Sequence, residues 1–307
     1  MTTRLLRSPG LLLSCLLPAS LLFSSSCSSS GRLKEFHSDT IQAAVLTDML
    51  RKGRPVIVKD CTVEGDLDFT KAGQEVPLGP QSIQVQIGAP IYFESCHFTG
   101  KITGISPGND ALRTCRFLYP VSFQQCQADS AADLSGAIFE SNLGFTKSYF
   151  EQSVTLQACR VSGDFRFEEA VFKADFLMQE SVIRGAFHGK DATMLGQFSA
   201  QQSDFWQNVV LTGISVHGYM DMGLANFRRA AFFGYGKYYE RAVYSGARFS
   251  ERAEWTRASY TRTVNLDDAT FTDLTEWSGA DLKGGISMKN TRFEYGKPDL
   301  EGIVTAP

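Results

Sequence analysis

Residues 168 to 187 read EEAVFKADFLMQESVIRGAF, and their apolar or small side chains fall at 170, 172, 176, 178, 181, 183 and 187. The gaps run 2, 4, 2, 3, 2, 4, which fits neither an amphipathic helix nor a plain alternating strand. The same rhythm divides the chain into units of eleven from Cys115 to Thr291 without a slip. The first place is small, as at Cys126, Ala137, Ser148, Cys159, Ala170 and Gly236, with Ile214 the exception. The third is apolar throughout, most often phenylalanine: Phe117, Phe139, Phe172, Phe205, Phe249. The seventh and ninth are mostly apolar, as in Phe165 with Phe167 and Val209 with Leu211. Earlier units begin at Cys61, Val85 and Cys96, separated by inserts near 72–84 and 104–114. Of the 23 phenylalanines, all but Phe23, Phe36 and Phe232 occupy these four places, and no Lys, Arg, Asp or Glu does.

Residues two apart in an extended segment point to the same side, so places one and three form one inward pair and seven and nine another. The polar steps between pairs often carry glycine (Gly65, Gly163, Gly185, Gly196, Gly218, Gly284) and read as corners. A single unit cannot bury its apolar side, whereas coils stacked about 4.8 Å apart can do so through in-register ladders. An eleven-residue coil is too narrow to hold phenylalanine, so two units per coil are expected. The prediction is an all-β solenoid of 22-residue, four-sided coils over 61–295, nearly ten coils or roughly 45 to 50 Å long. Phe233, Trp255 and Trp277 share the ninth place at 22-residue spacing and are expected to stack inside.

These residues resemble the pentapeptide-repeat proteins, whose units centre on Leu or Phe with a small residue two before. The stretches ADLSGAIFES (132–141) and ADLKG (280–284) match that pattern, and the rest is similar to a phenylalanine-rich variant with alternating spacings of five and six. The resemblance implies a right-handed quadrilateral β-helix.

Outside the lattice, SDTIQAAVLTDMLRKGRP (38–55) has a helical pattern with Ile41, Val45, Leu46, Met49 and Leu50 on one face. Asp39 and Gln42 suggest a capping box, and Gly53 and Pro55 a stop. Segment 38–60 is therefore expected to cap the first coil and shield its strand edges. The tail, 296–307, offers no comparable lid, which leaves the last coil as a self-association face and a route to a homo-oligomer.

The N-terminus reads as an export signal over 1–26: MTTRLLR is basic and LLLSCLLPASLLF (11–23) is apolar but too short to span a bilayer comfortably. The SSSC ending at Cys27 resembles a bacterial lipoprotein signal, although Ser24 stands where an aliphatic residue is usual. Lipidation at Cys27 followed by a polar tether (27–37) gives a protein anchored to a membrane of the bacterial envelope, in the outer membrane or facing the periplasm. Ordinary cleavage near Ser26 and an uncleaved anchor are the alternatives. The full chain has 30 basic and 33 acidic side chains, a formal charge of -3. That mild acidity neither favours a nucleic-acid partner nor imitates one, so a nucleic-acid mimic, a role known in the family it resembles, is the least supported reading.

Motifs for catalysis and cofactors are sparse. There is no G-x-S-x-G, P-loop, H-E-x-x-H or C-x-x-C, so no catalytic residue, cofactor or metal ligand is assigned. His97 and His217 fall off the lattice, toward solvent. Cys61, Cys96, Cys115, Cys126 and Cys159 occupy the small first place, where cysteine stands in for alanine; Cys61, Cys96 and Cys126 would also stack on successive coils. The one charge feature is the cluster Arg228, Arg229, Lys237, Arg241, Arg248, Arg252, Arg257 and Arg262, opposed only by Glu240, Glu251 and Glu254 between 227 and 263. It reads either as a solvated face or, with Tyr235 and Tyr239 beside it, as a contact patch for a protein or anionic envelope partner. The leading expectation is a non-enzymatic scaffold or interaction surface. The alternative is an exported β-helix enzyme acting on glycans, with carboxylates converging from adjacent coils.

Overall fold

The computed structural model describes residues 35–36, 39–108, 110–298 and 304–305. Residues 1–34, which contain the export signal and Cys27, lie outside the described residues, as do Ser28 through Lys34 of the expected tether. The described chain is almost entirely β, wound into four sheets of 11, 10, 12 and 12 strands. We number them as walls in the order the chain visits them. The first wall runs from Val56–Lys59 to Thr275–Glu276, with Glu35–Phe36 added at its start. The second runs from Thr40–Gln42 to Val304–Thr305 and the third from Leu67–Asp68 to Ile286–Ser287. The fourth runs from Ser82–Ile87 to Arg292–Phe293. Pairing between successive coils along each wall is parallel and in register: Phe205 opposes Phe227, Phe227 opposes Phe249, and Phe249 opposes Phe271, a 22-residue step each time.

The second wall has one strand per coil, twelve in all, against the nearly ten expected. The difference lies at the ends. Thr40–Gln42 already pairs with Thr62–Glu64, and Val304–Thr305 adds to Asp281–Leu282. At about 4.8 Å per coil the column is roughly 50 Å long.

The 5+6 alternation has a simple physical basis, because the two kinds of corner differ. Between places nine and one, a tight turn is closed by bonds such as Ser148 N–H to Phe145 O (3.1 Å) and Ala170 N–H to Phe167 O (3.1 Å). The third residue of that turn has positive φ, the type II arrangement. It is always place eleven: Lys147, Ala158, Glu169, Glu180, Asp191, Gln202, Gly213, Leu224 and Tyr235 continue at the same spacing to Asn290. Left-handed backbone costs a non-glycine residue about 1–2 kcal/mol. It is held because the residue's own N–H donates to the next coil, as Lys147 does to Glu168 O at 2.9 Å. The other corner, places four to six, holds the glycines read from the sequence. Apart from Gly65, which has φ +82° and open space, the constraint there is close approach: a Cβ on Gly185 would lie 2.2 Å from the backbone of Gly163 one coil away.

Inside, the lattice places form one continuous core. Phe172, Phe205 and Phe249 are fully buried. Phe205, Phe227, Phe249, Phe271 and Phe293 stack face to face along the fourth wall, with centroids 4.5 to 5.3 Å apart. Phe233, Trp255 and Trp277 stack as expected at 5.1 and 4.4 Å. The ring of Tyr238 fits because place one of its unit is Gly236, where a Cβ would fall 2.7 Å from the Tyr238 hydroxyl.

The helix is shorter than the sequence suggests, Ala43–Arg51, and buries Ala43, Leu46 and Leu50 beside the first strand of the third wall. The capping box does not form. Residue 42 is recruited into a strand, and its side chain donates to Glu64 Oε2 at 2.7 Å instead of capping. Ile41 accordingly sits in that strand, and Val45 is exposed. Both inserts emerge at the third-to-fourth corner. Gln74–Gly79 folds back on Ser82–Ile87, Ile105–Ser106 folds back on Leu112–Phe117, and those two long strands stack on each other in register.

Candidate functional site

The five described cysteines, Cys61, Cys96, Cys115, Cys126 and Cys159, are buried, as expected for core positions. Burial pushes the Cys159 thiol up to about 12 and Cys115 higher still. Cys61, Cys96 and Cys126 do occupy successive coils, and a hydrogen bond shared with Cys96 together with burial holds Cys126 far above an ordinary thiol. The same shared hydrogen bond moves the Cys96 thiol the other way, below its ordinary value.

The described carboxylates with a displaced pKa are Asp48, Asp68, Glu151, Asp164, Asp204 and Asp267, and each moves down. Partial burial opposes the shift at Asp68, Asp164 and Asp204, and hydrogen bonds from neighbours outweigh it. A general acid of a glycan hydrolase needs the opposite displacement. Shallow depressions on the flanks are lined by Arg51, Lys71, Glu75 and Arg113 near the first coils, and by Asp268, Thr270, Asn290 and Arg292 near the last.

The basic cluster, continuous in sequence, is divided by the winding. Tyr235, Lys237, Tyr239, Arg241, Arg257 and Arg262 lie on the second wall and its two corners over two adjacent coils. Arg228, Arg229, Arg248 and Arg252 lie on the fourth wall and the corner leading from it, on the opposite side of the column. A local run of like charge in a 22-residue coil is spread round the perimeter, so the single patch becomes two.

The two groups differ electrostatically. On the fourth-wall side, Arg229 pairs with Glu251 at 2.5 Å and Arg252 with Glu254 and Glu276 at 3.1 and 2.6 Å. Arg228 meets both oxygens of Asp204 at 2.8 Å. On the second wall, Lys237, Arg241, Arg257 and Arg262 take part in no ion pair among the described residues. Only Glu240 faces them from the same stretch.

The second wall also supplies rings. Tyr235, at left-handed place eleven (φ 59°), projects from the corner and is 52% exposed, with the Arg257 guanidinium 5.7 Å from its centroid. Tyr239 stacks on His217 of the preceding coil at 4.3 Å and 17°. Leu195, exposed, continues that column one coil further. The local reading of the sequence missed His217 and Leu195 as partners of Tyr239. All three are fourth-place residues 22 apart, and reading the chain in columns of 22 finds them. The same column reading finds Arg184, Trp206 and Arg228 on the other side. Comparison with family models and with curated protein sequences finds no match.

Proposed function

We propose that this chain is a non-enzymatic, lipid-anchored envelope protein of the pentapeptide-repeat type, whose rigid β-helix serves as a scaffold presenting docking surfaces. The supporting observation is the second wall: four cations without ion-pair partners among the described residues, interleaved with Tyr235, Tyr239 and His217, on a sheet that costs no ordering entropy to present. Unpaired arginines beside exposed aromatic rings are the residue types that carry binding energy at protein interfaces. The partner is a protein or another anionic envelope component. Contact between copies at the last coil, where Ile286, Met288 and Phe293 are only partly buried, belongs to the same proposal.

Cross-linked capture from the cell's own membranes tests the reading. A partner recovered with the native chain should be lost with the quadruple variant Lys237→Ala, Arg241→Ala, Arg257→Ala, Arg262→Ala; equal recovery removes the second wall as a docking surface. Cys27→Ser tests the anchor. A variant that stays in the membrane fraction shows that lipid at Cys27 is not what holds the protein there.

A further inference from the structure

The fourth wall carries a second built surface that shares no residue with the one above. Trp206 is 40% exposed, unlike Trp255 and Trp277, which are buried. It is held rigidly. Its Nε1–H donates to Asp204 Oδ2 at 2.8 Å, and Asp204 in turn grips Arg228 through both oxygens. The Arg228 guanidinium lies 4.3 Å over the indole and that of Arg184 lies 5.4 Å away, from the coils on either side. Asn226 donates to the same carboxylate at 3.0 Å, so the anchor is oriented before any partner arrives.

The charge around this anchor is unbalanced. Arg228 is satisfied by Asp204, Arg229 by Glu251 and Arg116 by Glu140. Arg160, Arg184 and Arg248 are exposed and join no ion pair among the described residues. Arg160 and Arg248 share the outward column of the wall, four coils apart, with Arg184 and Trp206 between them. Four coils span about 19 Å, the length of roughly six residues of extended chain.

We propose that the fourth wall binds an extended acidic polypeptide segment lying along the column axis, its carboxylates on Arg160, Arg184 and Arg248 and an apolar side chain against the edge of Trp206. A guanidinium fork matches a carboxylate bidentately, which selects this class of partner. A pyranose has no free indole face to stack on, because both neighbouring coils place a guanidinium beside the ring. With the second wall on the opposite side, a column built this way bridges two partners.

The probe is a synthetic peptide of sequence EELEEE, titrated into the full chain at low salt while tryptophan emission is followed. Trp206 is the exposed reporter of the chain's three tryptophans. The expected result is a saturable change that weakens as salt rises. Arg160→Gln and Arg184→Gln should each weaken binding at least fivefold, with unchanged circular dichroism. Lys101→Gln, exposed near the first coils and outside both surfaces, should leave it unaltered. No saturable response, equal affinity in the Arg160 and Arg184 variants, or binding of polygalacturonate or phosphatidylglycerol vesicles in place of the peptide would each overturn the proposal.

Discussion

Replacing Phe249 with alanine tests whether the column is held by its aromatic stack. Phe249 is 0% exposed and lies between Phe227 at 4.5 Å and Phe271 at 4.7 Å, both within 5° of parallel. Trp255 meets its edge at 5.4 Å. Truncating a buried phenylalanine costs about 3–5 kcal/mol. Here the upper part of that range is expected, since two stacked pairs, each contributing about 0.5–1.5 kcal/mol beyond burial, are lost together. The neighbouring rings are pinned by backbone ladders above and below, so the cavity cannot close. Phe293 occupies the same place of the same wall at its last strand, is partly buried and, among the described residues, stacks only on Phe271, at 4.9 Å. Phe293→Ala should therefore cost less than half as much, about 1–2 kcal/mol. Urea unfolding followed by far-ultraviolet circular dichroism measures both. Because each coil contacts only its neighbours, Phe249→Ala should also broaden or split the transition as the coils on either side uncouple. Equal losses for the two variants would refute the reasoning, since position in the stack would then be irrelevant.

Three further outcomes follow from the corners and the fourth wall. Gly185→Ala places a Cβ against the Gly163 backbone and should destabilise the chain by about 1–3 kcal/mol in the same assay; a neutral result would mean the coils can separate locally at no cost. At Gln202 (φ 58°), valine should cost about 1–2 kcal/mol while glycine stays within about 1 kcal/mol of the native chain, relief of strain offsetting the freer unfolded state; valine at no cost would remove the left-handed corner from the account. Partial burial opposes ionisation of Asp204, but hydrogen bonds from Arg228 and Trp206 hold its pKa below the ordinary 3.8. A depressed carboxylate loses its contribution only as pH falls through the folded value, so the Trp206 emission signal should persist at pH 3.8 and change below it, and Asp204→Asn should abolish the transition; a midpoint above 3.8 would show the network does not favour the ionised form.

The β-helix was legible because its signal is redundant: inward places repeat unit after unit, and Phe172 or Phe205 is interpretable without knowing its neighbours. The 22-residue period could be read because Phe233, Trp255 and Trp277 need room that half a coil cannot give. Place eleven went unread because left-handed backbone leaves a weak trace. Lysine, alanine, glutamate, leucine, tyrosine and arginine all occupy it, and only an occasional glycine, as at Gly136, Gly213, Gly246 and Gly279, and the want of β-branched residues mark it. The capping box failed because Gln42 is claimed by a ladder to Thr62–Glu64, a partner more than 20 residues distant. The basic cluster was legible as composition but not as place. Charge read along the chain joins Arg229 to Lys237, whereas the coil carries them to opposite walls.

That separation has a consequence for how substitutions should interact. In most domains the side chains that modify one another's effects are scattered by an irregular fold. Here the outward side chains have as close companions their homologues one coil earlier and one later, as with His217 and Tyr239 or Arg184, Trp206 and Arg228. A complete map of pairwise epistasis should therefore show a bright stripe parallel to the diagonal at an offset of 22, fainter at 44, and a weaker band near 11 from rings that meet across the core, such as Tyr244 and Trp255.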